Sequence, residues 1–211
     1  MQQLVRVICV FAAATSLFAQ RGEVGGGGGG SIFMSKTVTA PGGTADAGFQ
    51  QGFAVAGWIG HYSGTNIGGE IRYMFQRNDL KLAAGGTKAT FTGHSHAIHY
   101  DVLVYGTSSE YRLRPYVIVG GGIKGYFGTG REAAFQPLSN FALLTRTRQW
   151  QPLVSGGAGV KVAMGSGAMV RVEFRDYVTP FPKDVITPAP GAKISGWLHN
   201  FVPLVGISWT F

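Results

Sequence analysis

The sequence predicts an all-β protein: an eight-stranded antiparallel up-and-down β-barrel that crosses a membrane with its strands. Three observations predict it. The last stretch, WLHNFVPLVGISWTF, alternates, with Phe201, Val205, Ile207, Trp209 and Phe211 on one strand face and Asn200, Gly206, Ser208 and Thr210 on the other. A strand of ~9–11 residues, apolar on one side and small or polar on the other, suits the wall of a transmembrane barrel. Seven further stretches alternate in the same way, and the connections between strands are short and long in strict alternation. That is the mark of an up-and-down barrel with tight turns at one mouth and long loops at the other.

The eight strands are expected near 22–34, 50–61, 66–76, 96–105, 112–126, 153–164, 169–179 and 197–211. The first, VGGGGGGSIF, has almost no side chains and also reads as a flexible linker. In the third, Ile67, Ile71, Tyr73 and Phe75 oppose Glu70, Arg72 and Gln76. The fifth sets Val117, Val119 and Ile123 against Arg112, Arg114, Tyr116 and Lys124. In the seventh, Val170, Val172 and Phe174 oppose Arg171, Glu173 and Arg175. The short turns are 61–66, 106–110 and 165–168, rich in Gly, Ser and Asn. The long connections are 35–49, 77–95, 127–152 and 180–196.

The N-terminus reads as a secretory signal over residues 1–19. Arg6 gives a positive start, Val7 to Phe18 form the apolar run, and Ala19 offers a small residue for cleavage, leaving 20–211 as the barrel domain. The only cysteine, Cys9, lies inside that run, so the mature chain would have no disulfide. Removing the signal leaves 17 Lys and Arg against 10 Asp and Glu, a net charge of +7. The 34 glycines, many inside apparent strands, argue against helices, where each costs ~1 kcal/mol relative to Ala.

The motifs RLRPYVIVGGGIKGYFG, LVSGGAGVKVAM and MVRVEFRDY of strands five to seven resemble the small OmpA/OmpX-like outer-membrane β-barrel family, and the resemblance covers nearly all of the mature chain. It implies a place in the cell outer membrane and contact with its lipid and lipopolysaccharide. It also implies that Phe211, as terminal aromatic, is the signal read by the barrel-assembly machinery. The chain would comprise the barrel alone, without the peptidoglycan-binding domain of full-length OmpA proteins. No cofactor is expected.

Inside such a barrel the chemistry lies in the inward set. Glu70, Asp101 and Glu173 share the lumen with Arg72, Arg114, Lys161, Arg171 and Arg175. Eight strands leave an interior that side chains just fill, so these charges must pair or meet water. A plugged bore follows, with Gly120, Gly122, Gly157 and Gly159 making room for the long cations. GGGIKG (120–125) matches a dinucleotide motif by letter but has no helix after it and no downstream acid. Aromatics at strand ends form two interfacial belts: Tyr62, Tyr105, Trp209 and Phe211 beside the short turns, Trp150, Phe181 and Trp197 near the long loops.

Two chemical sites are weighed and set aside. His94 and His96 share a strand face while His99 points away, which makes a poor metal site. Ser95 with His94 or His96 and Glu132 could form a lipid-deacylating set, but neighbouring strand residues face opposite ways. The long loops carry Arg77, Lys81, Lys88, Arg131, Arg146, Arg148, Lys183 and Lys193, cations suited to lipopolysaccharide phosphates. Secretion makes nucleic acid an implausible partner of this positive chain. Phe135, Phe141, Leu143 and Leu144 could pack loop three or dock a partner, and no motif identifies a loop ligand. The leading expectation is a non-enzymatic protein of the outer membrane with an envelope-structural or surface-interaction role. A narrow solute or ion channel is the runner-up, and a lipid A-modifying enzyme the third reading.

Overall fold

The computed structural model describes residues 21–133 and 135–211. The expected signal segment, Cys9 and the cleavage site lie outside the described residues. Fourteen strands run in chain order: β1 (Gly22–Phe33), β2 (Lys36–Ala40), β3 (Gly43–Phe49), β4 (Gly52–Ser63), β5 (Ile67–Arg77), β6 (Leu80–Ala84), β7 (Thr87–Phe91), β8 (Gly93–Tyr105), β9 (Leu113–Gly128), β10 (Ala142–Leu144), β11 (Arg148–Gly165), β12 (Ala168–Pro180), β13 (Ile186–Pro188) and β14 (Trp197–Thr210). Eight of them close a barrel in the order β1-β14-β12-β11-β9-β8-β5-β4, each antiparallel to its neighbours. This is the expected up-and-down meander, closed by β1 against β14.

The glycine tract is a full strand and no linker. Its residues pair with β4 from Gly22↔His61 to Ser31↔Gly52 and with β14 from Glu23↔Thr210 to Phe33↔Asn200. Missing side chains are what allow this. A Cβ at inward Gly25 would stand 2.6 Å from the Trp58 ring, and one at Gly206 would meet the same ring at 2.6 Å. The tract thus makes space for an indole inside the barrel.

The outer wall is apolar. Val55, Ile59, Ile71, Val117, Val119 and Val205 are each more than half exposed to solvent. Among the described residues the ladder closes on itself with no free edge, and the outer band is apolar, as a lipid environment requires of a spanning sheet. β9 and β11 are 16 and 18 residues long, more than the ~9–11 needed to cross the bilayer. They therefore rise beyond the membrane at the long-loop mouth.

The long connections are not irregular loops. β2, β3, β6 and β7 form a four-stranded sheet in the order β2-β3-β6-β7, and β10 pairs with β13. Gly85 and Gly86 (φ 55° and 83°) turn the β6–β7 hairpin, both in the left-handed region that a type I′ turn demands. These elements share a core. Val38, Ala47, Leu80, Leu82, Leu144 and Ile186 are at most 2% exposed, and they pack with Phe33, Tyr126 and Leu198 of the barrel. Burying each Leu, Ile or Phe contributes ~1.5–3 kcal/mol, so the cap holds itself together. Phe49 of the cap lies 4.9 Å from the Phe33 ring and stacks on Tyr126 at 5.0 Å, closing the outer end of the lumen.

Candidate functional site

The barrel interior is the site with chemistry in it. Alternation puts Glu23, Glu70, Asp101 and Glu173 on the inner face, together with Arg72, Lys161, Arg171 and Arg175. Four carboxylates and four cations form one continuous network. Arg72 binds Glu70 at 2.8 Å and also Glu173. Arg171 reaches Glu70 at 2.9 Å, Glu173 at 3.2 Å and Glu23 at 3.4 Å. Arg175 holds Glu70 at 2.6 Å, Glu173 at 3.2 Å and, with its other arm, Asp101. Lys161 donates to Glu23 at 2.5 Å and to the Tyr105 hydroxyl at 2.7 Å.

Fixed planar forks suit such a lattice, because each guanidinium can serve several carboxylates at once. Neutral groups complete it. Tyr116 donates its hydroxyl proton to Glu173 Oε2 at 3.0 Å, and Ser155 donates to Asp101. The Trp58 ring carries Arg171 at 4.4 Å and Arg72 at 4.6 Å from its centroid, which offsets part of the desolvation of both cations. Inward glycines complete the fit: a Cβ at Gly120 would lie 2.1 Å from Asp101 Oδ1, and one at Gly157 only 2.4 Å from the Phe174 carbonyl oxygen.

Above the network the lumen mixes apolar side chains such as Met74, Leu153 and Val202 with neutral polar ones, and Lys124 is buried among them. Its ammonium donates to Asn200 Oδ1 at 2.6 Å, and Gln76 donates to the same oxygen at 2.7 Å. Arg114 faces the lumen as expected but stands outside the carboxylate network. It lies 4.1 Å over the Tyr105 ring and donates to the Thr65 carbonyl at 3.0 Å.

Three aromatic positions are corrected. Tyr62 and Tyr105 are 9% and 4% exposed and point into the lumen, where Tyr62 donates to Glu23. They are one residue out of register with the lipid face, so no membrane belt includes them. Phe181 is buried in the cap core at 3% exposure. Trp150, Trp197, Trp209 and Phe211 do lie on the outer wall, at 48%, 54%, 51% and 73% exposure.

The histidines separate by face. His94 stacks on Phe127 at 5.2 Å and His96 meets the Tyr73 hydroxyl at 2.6 Å on the outside, whereas His99 is buried against Asp101 at 3.0 Å. Ser95 is buried in the lumen, where its hydroxyl donates to Gln76 Oε1 at 3.1 Å with Asn78 Oδ1 at 3.2 Å beside it, out of reach of lipid and of both neighbouring histidines. Glu132 is spent on the Arg146 amide. Of the loop-three apolar residues, Phe141 and Leu144 are buried in the cap, while Phe135 and Leu143 are 77% and 41% exposed.

Sequence reasoning missed Glu23 and Trp58. Both were legible: Glu23 shares its parity with inward Gly25, and Trp58 alternates with Ala54 and Ala56 opposite Val55 and Ile59.

The class of protein follows from the wall and the interior together. A closed eight-stranded barrel, apolar outside and charged within, is a transmembrane barrel of the small OmpA/OmpX-like outer-membrane fold. The fold is similar to the crystal structure of Neisserial surface protein A, at 10% identity over 90% of this chain and 97% of that one, with a TM-score of 0.55. The N-terminal β-barrel domain of Pseudomonas aeruginosa OprF aligns at 13% identity over 91% and 98% of the two chains, with a TM-score of 0.49. No protein-family model matches the chain, and no curated protein sequence matches it.

Proposed function

We propose that the protein is a non-enzymatic outer-membrane barrel whose filled interior serves stability and whose folded outer cap serves interaction at the cell surface. One observation carries this reading. The lumen is blocked twice, by the ion-paired network at mid-barrel and by the apolar closure of Phe33, Phe49 and Tyr126 above it. An interior organised for passage would hold water between its charges; here the guanidinium groups of Arg72, Arg171 and Arg175 are fully buried against carboxylates.

The cap supplies the surface. Lys88, Arg131, Arg146, Arg148, Lys183 and Lys193 are exposed on it. In this reading they meet the phosphates of lipopolysaccharide, contacts that charge-assisted hydrogen bonds favour. Placing function on connecting segments above a rigid wall is the usual arrangement of such scaffolds. Phe211, paired to Gly22 through both backbone groups at the short-turn mouth, belongs to the same proposal as the element that the assembly machinery reads.

The experiment is planar-bilayer conductance of the refolded chain. No steady opening is expected at moderate voltage. Sustained large-conductance openings would exclude the blocked lumen and favour the channel.

A further inference from the structure

The mouth ringed by the short turns contains a cavity of about 410 Å³. Its walls include Arg21, Arg112, Arg114, Lys161, Tyr62, Tyr111 and Phe211, and no side-chain carboxylate lines it among the described residues. We propose that this mouth is a binding site for a phosphate group, held between the guanidinium groups of Arg112 and Arg114.

The accounting of donors singles out these two arginines. Lys161 is already committed to Glu23, Tyr105 and Tyr62. Arg112 lines the cavity and bonds the Ala163 carbonyl through its Nε at 3.1 Å, with no bond from either Nη among the described residues. Arg114 uses Nη2 on Thr65, and its Nε is buried with no partner. Arg114 is 5% exposed, and neither it, Arg112 nor Arg21 has an ion-pair partner among the described residues. Glu110, in the same turn as Arg112, does not line the cavity.

A buried guanidinium outside any ion pair is costly, and every other arginine deep in this barrel is paired. The exception faces the one mouth where an anion can enter. Guanidinium forks match tetrahedral oxyanions well, since two adjacent oxygens accept two parallel N–H bonds. Trp209 and Phe211, on the outer wall beside this mouth, set it at the depth of the lipid head groups. The phosphate can therefore belong to a phospholipid head group or be free in solution, and the chemistry of capture is shared.

The test uses the full chain folded in uncharged detergent and phosphate-free buffer, with 31P NMR line width as the readout. One arm titrates inorganic phosphate; the other titrates dihexanoyl phosphatidylglycerol. Saturable broadening is expected in at least one arm. Broadening by phosphate assigns the free anion, and broadening only by the lipid assigns the head group.

Arg112→Gln, at an exposed position, is expected to weaken binding ~10-fold, the loss of one charge-assisted contact. Arg112→Gln combined with Arg114→Gln should abolish it. Arg77→Gln, at the opposite mouth and paired with Asp79 at 3.7 Å, should bind as the unaltered protein does. Absence of saturable binding in both arms overturns the proposal. So does an Arg112→Gln protein, folded by its heat resistance, that binds as tightly as the unaltered one, or an equal loss in Arg77→Gln.

Discussion

Replacing Glu173 with alanine is expected to lower the heat resistance of the barrel by far more than replacing Asp184. The measurement is the temperature at which the compact folded band gives way to the unfolded one in unboiled gel samples. Glu173 accepts from Arg72, from Arg171 at 3.2 Å, from Arg175 at 3.2 Å and from the Tyr116 hydroxyl at 3.0 Å. Its side chain is wholly buried. Removing it leaves three guanidinium groups sharing the remaining carboxylates inside a closed cylinder. Breaking a buried ion pair by deleting one partner costs about 3–5 kcal/mol, because the other charge stays desolvated.

Asp184 is exposed on the cap, and the hydrogen bonds found there engage its backbone: its amide with Gln149 and its carbonyl with Thr145 and Thr147. A surface carboxylate of this kind contributes about 0–1 kcal/mol. Equal effects of the two substitutions would place Glu173 outside the network. Glu173→Gln refines the comparison, since it keeps the shape and removes the charge. It should be nearly as harmful as alanine if charge balance holds the lumen, and mild if hydrogen bonding alone does.

Much of this was legible in the chain itself, for a definite reason. A side-chain period of two exposes both faces of a strand at once, so Val172 and Phe174 against Arg171, Glu173 and Arg175 fixed which face was greased. The network members other than Glu23 followed from that parity. Two aromatics escaped although parity carries them. Tyr62 shares the face of Trp58 and Tyr105 that of Asp101, but an aromatic at a strand end has the composition of a belt residue. Their bonds to Glu23 and Lys161 lie inside the lumen.

The cap escaped for a different reason. Its strands are 3 to 7 residues long, shorter than the window in which alternation becomes convincing. One signal was present and unread. LKLAAGGTKATF is two alternating runs around a Gly-Gly pair, the sequence of a tight hairpin, and β6 and β7 form it. β10 and β13 had no such mark, because they pair across more than forty residues of chain. Their pairing depends on Leu144 and Ile186 being buried together, which is a tertiary fact.

The tract that sequence reading left weakest also yields the sharpest contrast between neighbouring positions. Gly29→Ala is expected to prevent normal closure of the barrel, while Gly28→Ala is expected to be harmless. Gly29 faces inward at the seam, opposite Leu204. A Cβ there would stand 1.9 Å from the Pro203 carbonyl oxygen and 2.9 Å from Leu204 Cα. Both are backbone atoms, so no rotamer relieves the clash, and β1 must move away from β14. That movement breaks ladder bonds at the one seam that joins the two ends of the meander, and in lipid each bare amide costs several kcal/mol. Overpacking alone costs about 1–3 kcal/mol, and the lost seam bonds add to it. Gly28 faces outward, and its Cβ would find nothing nearer than the Ala54 carbonyl oxygen at 3.6 Å. Alanine there removes glycine's excess freedom in the unfolded chain, a gain of roughly 0.5–1 kcal/mol. Heat resistance on a gel and protease protection after refolding measure both variants. A harmless Gly29→Ala, or equal damage from the two, would show that the tract is not seated between β4 and β14 and would remove the space that Trp58 occupies.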